Sequence, residues 1–164
     1  MARSQAGDRE AFSGLVRRHQ SAVYRVCYRV LGNQEDAEDA AQEAFIRAYN
    51  KLDSFQGRSK FRTWMLRLAI NVSLNERGRR KGSSPEGAWP APAPGPESEL
   101  LRSEASARLY EALQLVTPNH RAAIILRDLE GLPYREVAES LEVPEGTARG
   151  WASRGRTKLK ELLS

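Results

Sequence analysis

One cysteine, Cys27, excludes an internal disulfide, and two histidines far apart in the chain, His19 and His120, leave too few soft ligands for a tetrahedral zinc site. Neither a disulfide scaffold nor a structural zinc module is open to this sequence. No apolar run approaches the ~20 residues that cross a bilayer, and the opening MARSQAGDRE has no hydrophobic signal core. A cytoplasmic protein with no membrane insertion is expected. The chain lacks a Gly-rich phosphate loop, a nucleophile pattern beside either histidine, and a carboxylate pair set apart from its acidic helix. No catalytic activity, metal or cofactor is expected. Aromatic residues are scarce at 7 % and hydrophobic residues stand at 40 %, so the chain folds around small cores. What it holds in excess is positive charge. Its 26 Lys and Arg against 21 Asp and Glu give a net charge of +5, which suits an acidic partner, nucleic acid foremost.

Residues 82–99, GSSPEGAWPAPAPGPESE, hold five of the eight prolines and carry three glutamates with no lysine or arginine. Alternating Pro and Ala favours an extended polyproline II path, so this segment reads as a linker that few contacts cross. It divides the chain into 1–81 and 100–164, two units near the lower size limit for independent folding. Helical periodicity dominates both, and strand patterns are absent; the fold class is all-α. Phe12, Leu15, Val16, Val23, Val26, Val30 and Leu31 recur at helical spacing until Gly32. Asn33 caps a second helix whose core side is Ala37, Ala40, Ala41, Ala44 and Ala48, ending near Asp53. A third helix opens at Phe61. After the linker come a helix to Gln114, one begun by the N-cap Thr117 and Pro118 and running to Glu130, a short helix after Pro133, a tight turn at Glu142, and a last helix from Pro144 to Leu163. Two short helices about such a turn, the second one basic, form a helix-turn-helix pattern.

Three surfaces of different chemistry follow. On the last helix, Ala148, Ala152, Gly155, Leu159 and Leu162 make the core stripe, while Arg149, Ser153, Arg156 and Lys160, with Arg154 beyond them, make a basic arc suited to a major groove. A solvated basic face is the plainer reading of that arc. On the third helix a polar ridge of Arg67, Asn71 and Asn75 lies beside Phe55, Phe61 and Trp64; amides that donate and accept, next to rings that stack, suit an unpaired base. Core filling is the plainer reading of Trp64. On the second helix Asp36, Asp39 and Glu43 share an arc with Gln42 and Ile46 at its margin, an acidic patch with an apolar centre that suits a protein partner.

The order DAEDAAQEAF, then FQGRSKFRTWMLRLAIN and a basic tail, then the linker, then YREVAESLEVPEGTARG closely resembles the bacterial RNA polymerase sigma factors of the extracytoplasmic-function class. That resemblance implies a region 2 helical bundle in 1–81 and a region 4 helix-turn-helix in 100–164, with an anti-sigma factor as a common further partner. It implies that Asp39, Gln42, Glu43 and Phe45 dock on the clamp helices of the largest subunit of core polymerase. The loop from Ser54 to Lys60, with Phe55, Gln56, Gly57, Arg58 and Ser59 between them, would capture a flipped base of the minus-ten element, with Asn71 lining the site. Arg149, Gly150, Ser153 and Arg154 would read the minus-thirty-five element as duplex. Where the family often carries Val-Lys/Arg-Ser-Arg, this chain has Ala148, Arg149, Gly150 and Trp151, and Trp151 borders the apolar stripe as a packing residue. The rival readings are a helix-turn-helix regulator that binds DNA without polymerase, and a helical adaptor.

Overall fold

The structure, a computed structural model, describes residues 9–55, 57, 60–79 and 104–164. The expected linker, like Gln56, Arg58 and Ser59, lies outside the described residues. All regular structure among the described residues is helical. Helix α1 (Arg9–Leu31) ends where Gly32 takes φ +81 and returns its N–H to Tyr28 O at 2.7 Å, a left-handed stop that costs glycine no steric strain. Asn33 then caps α2 (Gln34–Asn50), its side chain accepting the Asp36 N–H at 2.8 Å as the sequence predicts. The five alanines of its core side are fully buried, which lets the backbones of α1 and α2 approach closely. The helix stops short of Asp53 because the chain tightens into a 3₁₀ turn, Leu52–Ser54, with Leu52 buried beneath it.

Helix α3 (Phe61–Arg79) is apolar on two sides for a reason the structure supplies: it packs on α1 and α2 and also touches the short helix of the second half. Met65, Leu66, Ala69 and Ile70 are fully enclosed. The second half comprises α4 (Glu104–Gln114), α5 (Pro118–Ile124), α6 (Tyr134–Leu141) and α7 (Glu145–Leu163). Thr117 stands at the N-cap of α5 but makes no side-chain capping bond; its carbonyl accepts the Arg121 N–H instead. The expected run of helix to Glu130 also changes character. From Ile125 to Leu129 it widens into one π turn, and the Glu130 N–H reaches Ile125 O at 2.9 Å. Between α6 and α7, Glu142 takes the left-handed conformation, φ 57 and ψ 47, which closes the tight turn. Gly155 sits where α7 crosses α5: a Cβ there would lie 2.3 Å from Ile124 Cδ1 and 3.1 Å from His120 O, so the crossing admits no side chain.

The two halves pack on one another, contrary to the few contacts expected across the linker. Tyr28 and Tyr110 meet edge to face at 5.1 Å. Arg121 is wholly buried and donates to Leu113 O, Gln114 O and Val116 O at the end of α4, and to Val30 O at the end of α1. The Gln114 amide adds a bond to Arg29 O at 2.9 Å. One guanidinium thus answers the orphan carbonyls of two helix C-termini, where the macrodipoles also favour a cation. A second anchor is Glu130, whose carboxylate takes Arg25 Nε at 3.0 Å, Arg29 Nη1 at 2.8 Å and Arg62 Nη2 at 2.6 Å.

Candidate docking and nucleic-acid surfaces

Helix α2 turns its alanines inward, and this leaves Asp39, Gln42 and Glu43 half-buried on its outer side. Glu43 pairs loosely with Arg47 at 3.4 Å across one helical turn. Two residues of the expected docking set sit differently. Phe45 is 2 % exposed and belongs to the core, so it fixes the helix and cannot touch a partner. Ile46, expected to be exposed, is half-buried and packs against the same core. The patch is therefore acidic and polar, with less apolar centre than the helical wheel suggests.

The aromatic group at the start of α3 is an assembled cluster. Phe55 lies 5.1 Å from Trp64 and 5.9 Å from Phe61, and Phe61 lies 5.7 Å from Trp64. Phe55, Phe61 and Trp64 are all half-buried, which leaves each ring partly open while its neighbours hold its orientation. Gly57 is exposed at φ +71 with open space around it, and Lys60 is exposed beyond it. Arg67, Asn71 and Asn75 follow at one-turn intervals, the first two half-buried and the third exposed. His19 lies against Phe61 with ring centroids 5.3 Å apart and the rings tilted by 51°; burial first, then Arg18 and Arg62, pull its pKa below the ordinary value. Arg67 opens onto a cleft of about 530 Å³ that it shares with Arg135, Glu139, Glu142 and Glu145 of the second half.

On α7 the core stripe is buried at Ala148, Ala152 and Gly155, which turns Arg149, Ser153, Arg154 and Arg156 to solvent. Gly150 is half-buried, and the Arg154 guanidinium lies close above it. The arginines are prepared unequally. Arg156 clasps Asp128 with two bonds of 2.7 Å and adds one of 2.8 Å to the Tyr134 hydroxyl, contacts that stabilise its charged form. Arg149 pairs with Glu145 at 2.9 Å and lies 4.5 Å over the Tyr134 ring, with Arg127 at 4.6 Å from the same ring. Tyr134 and Asp128, which sequence reasoning passes over, thus organise the basic arc. Trp151 is half-buried against the core, as its place beside the apolar stripe predicts.

Among the described residues no group of three or more His, Cys, Asp or Glu is placed to hold a metal ion, and no helix is long and apolar enough to cross a membrane.

Comparison with known proteins bears directly on these surfaces. Residues 15–82 match Sigma-70 region 2 and residues 106–159 match Sigma-70, region 4. The chain is 36 % identical to the RNA polymerase sigma-H factor of Pseudomonas aeruginosa, over 98 % of its own length and 90 % of that protein's. It is 37 % identical to the ECF RNA polymerase sigma-E factor of Escherichia coli K12, covering 94 % and 87 %, and 34 % identical to the ECF RNA polymerase sigma factor SigW of Bacillus subtilis, covering 96 % and 91 %. Among solved structures, CnrH in complex with the cytosolic domain of CnrY superposes with a TM-score of 0.74 at 25 % identity, over 99 % of this chain and 93 % of that one. With both regions matched in order and relatives of this identity aligned over nearly the whole length, the chain belongs to the extracytoplasmic-function sigma factors of bacterial RNA polymerase.

Proposed function

We propose that this chain is a dissociable initiation subunit of the cytoplasm that binds core RNA polymerase through α2, captures the minus-ten element on α3, and reads the minus-thirty-five duplex with α7. The polymerase, not this chain, forms the phosphodiester bonds. The observation that carries the reading is the segregation of three chemistries: Asp39, Gln42 and Glu43 on an acidic protein-facing helix, the Phe55, Phe61 and Trp64 cluster beside Arg67 and Asn71, and the basic arc of α7. The first two fall within the segment matching region 2, and Arg149 to Arg156 of the third within the segment matching region 4. An anti-sigma factor is the third proposed partner, in keeping with CnrH having been solved bound to the cytosolic domain of CnrY.

Run-off transcription with purified core polymerase on the region upstream of the gene tests this reading. Start sites that neither component gives alone are the expected result, and no added start site across a genomic library overturns it. Duplex binding by the chain alone, without any effect on polymerase, would favour the helix-turn-helix regulator.

A further inference from the structure

Glycine is the poorest helix former after proline, and α7 holds three, Gly146, Gly150 and Gly155. Gly155 has its reason in the fold, since a Cβ there would collide with Ile124 of α5. Gly150 has no reason of that kind. The three atoms nearest to the position of its missing Cβ all belong to the Arg154 guanidinium, with Nη1 at 3.4 Å and both Cζ and Nη2 at 3.8 Å. No other element of the fold comes as near. Glycine at 150 therefore leaves space for one side chain of α7 itself.

The three arginines of the arc differ in what holds them. Arg149 is paired with Glu145 and lies over the Tyr134 ring. Arg156 is clasped by Asp128 and bonded to the Tyr134 hydroxyl. Arg154 is exposed, and among the described residues no carboxylate pairs with it, which leaves its fork to a ligand. Helix side chains lean toward the N-terminus and meet neighbours four residues back, so Arg154 reaches over Gly150. That direction matters, because in a helix-turn-helix the N-terminal part of the second helix contacts the base edges. Arg154 starts about two and a half turns into α7, and folding back over a bare backbone carries its fork toward the end that meets the groove. A side chain at 150 would stand in that path. An arginine already seated also loses less rotamer freedom when it binds.

We infer that Gly150 is a specificity-determining position of this chain: by carrying no side chain it seats the Arg154 guanidinium against the backbone of α7 and aims it at one guanine of the upstream duplex element. Gly150 acts through Arg154 and is a positioning residue; the contact to the base is the arginine's, through guanine O6 and N7. The inference rests on the reading of α7 as the duplex-binding helix. It adds which arginine discriminates between bases and what fixes its aim.

The test uses the holoenzyme, assembled from the full chain and core polymerase, and a pool of promoter duplexes randomised across the upstream element. Bound duplexes are sequenced, and the preference for each base is read at each position. Wild type should favour guanine at one position by about 5- to 150-fold, equivalent to about 1–3 kcal/mol, and Arg154→Ala should bring that preference to within about twofold. Gly150→Val should lose the same preference at the same position, because its two Cγ atoms leave the fork no seat. Valine is no worse than glycine as a helix former, so circular dichroism should show the fold of that variant intact. Gly150→Ala, whose Cβ touches the fork without filling its place, should lose less of the preference and should raise Tm by about 2–4 °C. A double-mutant cycle separates seating from a direct clash with DNA: Gly150→Val in the Arg154→Ala background should change duplex affinity by less than about twofold. Guanine preference retained in folded Gly150→Val overturns the proposal. So does an equal loss of affinity with and without Arg154, or an equal loss of preference by the alanine and valine variants. If the wild-type holoenzyme has no guanine preference that Arg154→Ala removes, the duplex reading of α7 fails and takes the seat with it; a preference that Arg154→Ala removes and Gly150→Val keeps refutes the seat alone.

Discussion

Arg154 and Arg156 share the exposed side of α7, and substituting them separately distinguishes reading from bracing. Arg154 is exposed above Gly150. As a bidentate reader of guanine it would contribute about 1–3 kcal/mol of duplex affinity, so Arg154→Ala should weaken binding by about 5- to 150-fold with the melting temperature unchanged. Arg156 is already engaged, with two bonds of 2.7 Å to Asp128 and one of 2.8 Å to Tyr134. Its side chain is 44 % exposed and that of Asp128 33 %, so solvent screening limits the pair to about 1 kcal/mol despite its bidentate geometry. In a chain of this size that corresponds to a fall in Tm of about 2–4 °C. Arg156→Ala should show that fall with duplex affinity changed less than by Arg154→Ala. Asp128→Asn is the decisive variant because it loosens the clasp and keeps the arginine. A brace predicts the same loss of Tm and affinity within about twofold of wild type. Circular dichroism melts and anisotropy on an upstream-element duplex, measured with the holoenzyme for affinity, give both readouts. Tighter binding by Asp128→Asn with Tm unchanged would refute the bracing role and make Arg156 a reader.

Arg121→Met should lose about 3–5 kcal/mol of stability, since it strips a buried charged donor from four carbonyls; a urea midpoint within experimental error of wild type would contradict this. Asp39→Lys with Glu43→Lys should weaken core polymerase binding by several kcal/mol through lost attraction and new repulsion, whereas normal holoenzyme assembly in a pull-down would make the acidic face a solvated one. Asn71→Ala should reduce permanganate reactivity of melted minus-ten thymines more than it reduces closed-complex formation, because base capture offsets an unstacking cost of a few kcal/mol; equal melting returns Asn71 to a structural role. His19 has its pKa lowered from 6.5 by burial and by Arg18 and Arg62, so the unfolded chain binds the proton more readily and the His19 contribution to stability is complete above pH 6.5 and lost as pH falls below it. His19→Gln should flatten that part of the stability profile, and an unaltered acid limb in urea titrations would remove the histidine from the account.

Local signals were legible where the chemistry is local. Gly32, Asn33 and the alanines of α2 announce a helix stop, a cap and a close packing face within a few residues of one another, and the structure uses them so. The left-handed turn at Glu142 is equally local: two helical patterns leave room for little else, even without the usual glycine. What escapes is pairing over long separations. Nothing in the sequence around Arg121 points to the end of α1 that it reaches, and Glu130 reads as a helix terminus until Arg25, Arg29 and Arg62 arrive from 68 to 105 residues away. Periodicity cannot reveal such partners because each residue satisfies its own helix either way. Phe45 fails differently: a motif shared along a helix says that the helix is used, and only packing says which of its side chains face in.

The packing of the two halves has a mechanical consequence if, as proposed, the protein touches two promoter elements. Those elements lie roughly two helical turns of duplex apart, about 70 Å, while Arg67 of the ridge proposed to bind the strand and Glu142 of the helix-turn-helix line one cleft. A chain in this arrangement cannot straddle that distance, so engagement of both elements requires the Glu130 and Arg121 anchors to part. Parting them strips Glu130 and Arg121 of their partners in the amino-terminal half and uncovers the Tyr28–Tyr110 contact, which makes opening unfavourable until something replaces what is lost. Moving such a pair from one part open in a hundred to one part closed in a hundred takes about 5.5 kcal/mol of preferential binding to the open form. On the proposed assignment, polymerase and promoter together can supply that through the acidic face of α2 and the surfaces of α3 and α7, and neither has to supply it alone. Promoter selectivity then has a source beyond base contacts, because a site matching only one element recovers only part of the opening cost. Loosening Glu130 should therefore relax the demand for the second element, and tightening the closed pair should sharpen it.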